Sequence, residues 1–256
     1  IKKGVVGVDE NGVIAEVSEY GPIKFEDKEL EYHKGAICPG FVNAHCHLEL
    51  SHMLDRIPEK TGLPEFLRKV VTMREVDESE IFDAIDKGDR EMWENGINAV
   101  GDISNTSHTF PRKKESPIQY FNFLEAFDFL PQNTDKEWER ITKVSDKLSA
   151  LDPKAKQTIV PHAPYSVSPQ LCKMIGERCY EKDGVISLHN QETPGENEMF
   201  LNKSGALFEF FQSLGLDFSE WKATGHPSLS SVLVHLPKCL RMVLIHNTCS
   251  TREDIQ

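Results

Sequence analysis

Two histidines separated by one residue form the most chemically informative motif of this sequence. His45 and His47 close the run PGFVNAHCH at residues 39–47. Side chains on a strand alternate between its faces, so both imidazoles point the same way and Cys46 points the other way. A pair of imidazoles on a rigid strand suits a divalent metal. The pattern is short, however, and a surface pair with no function fits it equally well.

Three more histidines each follow a strand-like apolar run. His162 follows residues 158–161, His189 follows 185–188 and His246 follows 242–245. Taken singly, each fits an ordinary polar residue at a strand end. Four different strands then finish in histidine, and the carboxyl ends of parallel strands form the active face of α/β folds. Three neutral imidazoles with an open position for water indicate a catalytic metal site rather than a closed structural one.

Two acidic residues accompany these histidines. Glu192 stands three residues beyond His189, and Glu49 stands two residues beyond His47, with His52 close behind. A carboxyl group beside a metal site is suited to moving a proton. Glu192 equally fits a helix-start residue. Glu49 and His52 equally fit polar residues of a first loop with no contact to a substrate.

The elements that position these residues alternate between strand and helix. From residue 39 onward about six βα units are predicted, with strands ending near residues 44, 101, 123, 160, 188 and 245 and one helix passing through 200–211. Such alternation predicts a parallel sheet covered by helices. A doubly wound sheet and a (β/α)8 barrel both fit. No G-x-G-x-x-G follows a strand, which disfavours a dinucleotide-binding fold.

The first 38 residues have a different pattern. Strand-like runs at 5–8, 13–17 and 36–38 are short, and Asn11-Gly12 separates the first two. Asn-Gly between β-rich runs is a strong hairpin signal. This segment is therefore predicted to form a small antiparallel β unit.

Composition limits the classes of function. The 256 residues carry 29 basic and 41 acidic side chains, a net charge of −12, which disfavours nucleic acid as a partner. No apolar run approaches the roughly 18 residues that a membrane span needs. The 6 cysteines include no Cys-x-x-Cys pair, which indicates a reduced, cytoplasmic protein.

The motifs in order resemble the amidohydrolase superfamily, in its cytosine-deaminase-like and chlorohydrolase-like branch. The resemblance rests on PGFVNxHxH at 39–47, PHxPYS at 161–166, HxxE at 189–192 and IHN at 245–247. It implies an α/β fold, a (β/α)8 TIM barrel flanked by a small β-sandwich. Residues 1–38 would be part of the sandwich and 39–256 an incomplete barrel. The aspartate that the family places after the eighth strand is then expected beyond Gln256.

The same resemblance implies one divalent metal, with zinc as the first choice and iron as the second. His45, His47 and His189 would be its ligands. A bridging lysine at the end of the fourth strand would indicate a two-metal peptidase or a dihydroorotase-like enzyme. Residues 160–162 read Val-Pro-His instead. A mononuclear site is therefore the better-supported interpretation.

Roles for the remaining residues also come from the resemblance. His246 would polarise the attacking water and Glu192 would shuttle a proton, which makes these two the expected catalytic residues. His162 would touch the ring of the substrate. Glu49 is a second expected substrate contact.

The resemblance implies hydrolytic deamination, with release of ammonia by a water activated on the metal. The expected partner is a small heterocycle: an aminated purine or pyrimidine base, or an adenosine-type nucleoside such as aminofutalosine or S-adenosylhomocysteine. A chlorohydrolase acting on a triazine-like ring remains open. A non-catalytic metal- or ligand-binding relative also remains open, as does a homodimer.

Overall fold

The computed structural model describes residues 1–19, 30–238 and 241–255. The chain divides into two compact units, Ile1–Pro39 and Gly40–Gln256. Among the described residues, no helix combines the length and the apolar character that crossing a membrane requires.

The first unit contains the predicted hairpin. Strands β1 (Gly4–Val8) and β2 (Ile14–Glu19) pair antiparallel. The Asp9 carboxylate accepts hydrogen bonds from the backbone N–H groups of Asn11 and Val13 across the turn. Gly12 has φ +79°, a left-handed conformation that glycine adopts without strain. The third predicted run, 36–38, is not a strand, and membership of a β-sandwich stays a prediction.

The second unit alternates strands with helices as predicted. Its strands are β3 Phe41–Cys46, β4 Ile97–Ser104, β5 Gln119–Ala126, β6 Lys156–Pro161, β7 Val185–Asn190 and β8 Arg241–His246. Its helices are α1 Leu63–Met73, α2 Glu78–Glu94, α3 Phe110–Glu115, α4 Thr134–Leu151, α5 Pro169–Glu181, α6 Pro194–Asn202, α7 Ala206–Ser213, α8 Ser228–Leu233 and α9 Arg252–Ile255.

All six strands of this unit pair in parallel. The order β3-β4-β5-β6 forms one sheet, and β7 pairs with β8 in a second. The backbone N–H of His189 donates to the carbonyl oxygen of His162 over 2.9 Å, which joins the carboxyl ends of β6 and β7. The parallel α/β prediction is thus confirmed, whereas closure into a (β/α)8 barrel stays a prediction.

The residues at the start of α5 explain where this helix begins and how it packs against the sheet. Ser168 caps the helix by accepting a hydrogen bond from the Leu171 backbone, and Pro169 occupies the first turn. The inner face of α5 then packs in the main core against Ile159, Ile186 and Leu188. The helix covers β6 and β7, the strands that carry His162 and His189 at their ends.

One predicted helix is two helices in the structure. The pattern through 200–211 breaks between α6 and α7, where Lys203 has φ 55° and Gly205 has φ 95°. Left-handed residues end a helix, because they cannot continue its right-handed hydrogen-bonding pattern. The apolar periodicity concealed the break, since Phe200, Leu207 and Phe211 are all buried on both sides of it.

Candidate metal centre

Three imidazoles converge at the carboxyl ends of β3 and β7. The Nε2 atoms of His45 and His47 lie 3.1 Å apart. The Nε2 atom of His189 lies 3.2 Å from each of them. His45 and His47 share one face of β3, as the one-residue spacing predicts, and His189 approaches from the end of β7.

The spacing of these nitrogens fits a small tetrahedral cation. Metal–nitrogen distances of about 2.0–2.1 Å at tetrahedral angles place ligand nitrogens about 3.3 Å apart. Three nitrogen lone pairs at this separation repel one another unless a cation or protons lie between them. The donor set is the three-histidine set of catalytic zinc sites, which leaves a fourth position open. The geometry therefore fits a divalent metal held by His45, His47 and His189.

The protonation of the first two histidines suits metal binding. Burial lowers the pKa of His45 to about 4 and that of His47 to about 3. Both rings are therefore neutral at pH 7 and keep a lone pair for a metal. Burial also acts to lower the pKa of His189, but the nearby carboxylate of Glu125 outweighs it and raises that pKa above its usual value.

His246 and Glu192 lie together beside this cluster. Nε2 of His246 is 3.6 Å from a carboxylate oxygen of Glu192, and the ring centroids of His246 and His189 are 5.5 Å apart. His246 has φ 70°, a left-handed conformation that costs a non-glycine residue free energy. The neighbouring Asn247 donates its backbone N–H to the Asn190 carbonyl oxygen, which holds this turn in place.

A buried carboxylate fixes the loop that carries Glu192. Glu196, fully buried, accepts hydrogen bonds from the backbone N–H groups of Gln191 and Glu192, at 3.0 and 3.1 Å. Burial raises the pKa of Glu196 despite these bonds. The sequence reading did not single out Glu196, although a Glu in the first turn of a helix after a strand is a recognisable loop anchor.

His162 lies next to His189 at the end of β6. The two ring centroids are 5.0 Å apart, and Nδ1 of His162 is 2.6 Å from the Ser166 hydroxyl. Phe127 and Tyr165 meet its ring edge-to-face, with centroids 6.2 and 5.7 Å away. Burial lowers the pKa of His162 to about 4. An imidazole that is neutral at pH 7 thus stands against an aromatic wall beside the cluster.

The structure does not bring Glu49 to the histidines. Glu49 is only 3% exposed. Its carboxylate accepts hydrogen bonds from the backbone N–H groups of Asn105 and Thr106 and from the Thr106 hydroxyl. Arg74 approaches the same carboxylate to 3.8 Å. A substrate contact for Glu49 stays a prediction.

Sequence reading missed Glu125, a buried carboxylate next to the cluster. It is the next-to-last residue of β5, with 2% exposure, and one of its oxygens lies 3.3 Å from Nδ1 of His189. Burial acts to raise the pKa of Glu125, but the nearby imidazoles of His162 and His189 hold it below its usual value. A signal was present: Glu125 is the one charged residue in the apolar run FNFLEAF at 121–127.

A parallel α/β fold with imidazole nitrogens converging at its strand ends defines a class of metal-binding α/β proteins. Residues 36–256 match the sequence profile of the Amidohydrolase family, and the chain belongs to that family. This confirms the family resemblance found in the motifs.

Three known proteins show the range of similarity. An adenosine deaminase of Helicobacter pylori is 26% identical over 209 residues, which cover 78% of this chain and 49% of that protein. The crystal structure of Helicobacter pylori aminofutalosine deaminase in complex with methylthio-coformycin superposes with a TM-score of 0.66, at 23% identity, over 85% of this chain and 52% of that one.

The third is atrazine chlorohydrolase TrzN from Arthrobacter aurescens complexed with zinc. Its TM-score is 0.63 at 17% identity, over 85% of this chain and 50% of that chain. At this identity the likeness concerns the fold alone. The chain spans about half the length of the curated relatives it matches.

Proposed function

We propose that this protein is a metal-dependent hydrolase that removes an amino group from an adenosine-type nucleoside and releases ammonia. The observation that carries the proposal is the convergence of the Nε2 atoms of His45, His47 and His189 within 3.2 Å of one another. Support for the substrate class comes from the family membership and from the names of its relatives, an adenosine deaminase and an aminofutalosine deaminase.

His45, His47 and His189 would hold the metal, with zinc as the first choice because the nitrogen spacing and the all-imidazole donor set favour it. A metal there supplies Lewis-acid activation of water at neutral pH. The contribution of the chain is to keep these rings neutral and aligned. Burial does so for His45 and His47, whose pKa values it lowers to about 4 and 3.

Glu192 and His246 are proposed as the groups that handle protons. Deamination of an adenine-type ring requires a proton at a ring nitrogen as the amino-bearing carbon is attacked, and a carboxyl group can supply it. The 3.6 Å approach of His246 to Glu192 holds the two groups side by side at the edge of the cluster. Glu192 would deliver the proton and His246 would orient the water.

His162 is proposed to contact the ring of the substrate. The Ser166 hydroxyl occupies its Nδ1, and Nε2 has no hydrogen-bond partner among the residues that the structure describes. Nε2 is thus left for a nitrogen or oxygen of a bound heterocycle. Phe127 and Tyr165 beside it offer aromatic surface to such a ring.

The proposal extends to the fold and the location. We propose that the six parallel strands belong to a (β/α)8 barrel and that Ile1–Pro39 contributes to a flanking β-sandwich. A cytoplasmic location is part of the same proposal and rests on the cysteine pattern. The resemblance in the motifs supports the fold.

Dechlorination is the second candidate, favoured by the fold likeness to the zinc-complexed atrazine chlorohydrolase. Both reactions need the same activated water and differ in the leaving group. The relatives named above and others that match more than two thirds of this chain are deaminases, which supports deamination as the first candidate.

Ammonia and chloride assays on the full-length zinc-loaded protein separate the candidates. We expect ammonia from adenosine, S-adenosylhomocysteine or aminofutalosine, and no chloride from atrazine. The proposed proton donor is tested with Glu192→Gln, which is expected to lower the rate of ammonia release. Glu198→Gln is its matched control, because Glu198 is exposed on α6 close to the same loop. Metal-loaded protein that releases ammonia from none of the three nucleosides would contradict the proposal.

A further inference from the structure

We propose that Glu125 is a positioning residue that aligns His189 and supplies a buried negative charge to the candidate metal centre. This inference rests on the proposed function only in requiring that the three histidines bind a metal. It assigns a role to a carboxylate that the motifs do not mark.

The contact geometry at His189 carries the first step. Nδ1 of His189 has two acceptors, the His162 carbonyl oxygen at 3.1 Å and a Glu125 carboxylate oxygen at 3.3 Å. Because both are acceptors, the single ring proton of the neutral imidazole belongs on Nδ1. The lone pair is then on Nε2, which faces His45 and His47. A carboxylate behind a metal-binding histidine fixes its tautomer and strengthens it as a ligand.

The burial of Glu125 carries the second step. Its Oε1 atom is fully buried and, among the described residues, makes no hydrogen bond that satisfies normal geometry. A buried carboxylate oxygen with an incomplete partner set costs free energy. The three imidazoles bring no negative charge to a divalent cation held by them. A cation held by His45, His47 and His189 and the buried charge of Glu125 would therefore stabilise each other.

The surroundings hold Glu125 in one position. The Asn105 side chain donates to its other oxygen over 2.9 Å. Arg140 donates to the backbone carbonyl oxygens of Asn105 and Glu125, at 2.6 and 3.1 Å. Glu137 takes up the charge of Arg140 with two hydrogen bonds of 2.7 and 2.6 Å, so Arg140 fixes the backbone without neutralising Glu125.

Glu49 belongs to the same network of contacts. Its carboxylate binds the backbone N–H groups of Asn105 and Thr106, and so it fixes the residue that holds Glu125. Contacts thus run from Glu49 through Asn105 and Glu125 to His189. Within this inference, Glu49 supports the metal centre from behind.

Metal affinity is the direct test. Zinc binding to the metal-stripped full-length protein is measured by competition with a chromophoric chelator, for wild type, Glu125→Gln and Glu125→Ala. We expect the zinc Kd to rise about 10- to 100-fold in Glu125→Ala. Glu125→Gln keeps an acceptor oxygen for Nδ1 but loses the charge, so its Kd is expected to rise less.

A spectrum and a control separate alignment from general destabilisation. Cobalt in place of zinc is expected to show a visible absorption band that shifts in Glu125→Ala and is nearly restored in Glu125→Gln. Asp89→Asn is the matched control. Asp89 is also fully buried and hydrogen-bonded to Arg112, Ser116 and Tyr120, none of which contacts the histidines. Its zinc Kd and cobalt spectrum are expected to equal those of wild type.

The outcomes distinguish this inference from the proposed function. A Glu125→Ala protein that binds zinc with the wild-type Kd and cobalt spectrum overturns the inference and leaves the proposed function standing. Should Glu125→Ala fail to fold, Glu125→Gln tests the buried charge, and a wild-type zinc Kd in Glu125→Gln overturns the inference. Wild-type protein that binds neither metal overturns the proposed function and, with it, this inference.

Discussion

The Nε2 atoms of His47 and His189 lie 3.2 Å apart although 142 residues separate them in the sequence. Neither local propensity nor a turn can produce this approach. It requires both β3 and β7 to be in place. In the sequence these two strands are separated by β4, β5 and β6, which join β3 in one sheet. The candidate metal centre is therefore a property of the assembled sheets.

Removal of one of these imidazoles is expected to abolish tight metal binding. His47→Ala or His189→Ala leaves two nitrogens, so the zinc Kd is expected to rise by more than about 100-fold, beyond the effect of a residue that only orients a ligand. Metal content after dialysis measures this. His226→Ala, at an exposed histidine, is the control and should retain one zinc per chain. Full zinc content in His189→Ala would disprove its assignment as a ligand.

Loss of the proposed proton donor is expected to affect turnover and leave the metal in place. Glu192→Gln keeps the shape of the side chain but cannot move a proton, and general acid–base groups contribute about 100- to 10,000-fold to rate. We expect kcat for ammonia release to fall within that range at unchanged zinc content. Wild-type turnover in a zinc-replete Glu192→Gln protein would remove Glu192 from the mechanism.

A buried ion pair between α3 and β4 is expected to make a large contribution to the free energy of unfolding. Nζ of Lys113 lies 2.5 Å from the Asp102 carboxylate, which also accepts the backbone N–H of Leu48, next to His47. Lys113→Met leaves Asp102 buried and unpaired, so the free energy of unfolding is expected to fall by about 3–5 kcal/mol.

Urea denaturation measures this effect, and a surface pair provides the comparison. Lys143 and Glu139 are both largely exposed on α4. Lys143→Met is therefore expected to lower the free energy of unfolding much less than Lys113→Met does, because solvent screens an exposed pair. Equal effects of the two substitutions would show that the Asp102–Lys113 pair carries no special weight.

Alkaline pH is expected to destabilise the fold through a buried thiol. Burial, reinforced by the charge of Asp128, raises the pKa of Cys172 from 9.0 to about 12. The native state keeps a proton that the unfolded chain releases above pH 9, so the stabilisation is complete below pH 9 and is lost as pH rises toward 12. The slope is at most about 1.4 kcal/mol per pH unit for this group.

Urea melts at pH 8, 9.5 and 10.5 test this dependence. Cys172→Ala removes the Cys172 share and should flatten the decline in the free energy of unfolding, even if the smaller side chain lowers stability at every pH. Identical slopes in wild type and Cys172→Ala would show that the thiol titrates alike in both states.

The sequence predicted those parts of the fold and site that leave a periodic or ordered signal. The strand ends follow from apolar runs, and His45 and His47 share a face because side chains on a strand alternate. The position of His189 was predicted because it ends such a run. The hairpin of the first unit followed from Asn11-Gly12.

The parts that sequence reading missed depend on contacts between distant residues. Glu125 is one carboxylate among 41 acidic residues, and only the approach of His189 and Asn105 gives it meaning. The break at Lys203 depends on a left-handed φ angle, which a lysine in the sequence does not predict. Glu49 lies shortly after β3, as expected, but its partners Asn105 and Thr106 follow the carboxyl end of β4, 56 and 57 residues further along the chain.

The backbone of the loop after β7 is held in place by contacts that do not involve the Glu192 side chain. Glu196 holds that loop through the backbone N–H groups of Gln191 and Glu192, and a backbone N–H is present whatever side chain follows, proline excepted. The loop therefore keeps its path when the side chain at 192 is changed, so Glu192→Gln alters the proposed proton-carrying group without rebuilding the backbone that carries it, as long as Glu196 is kept.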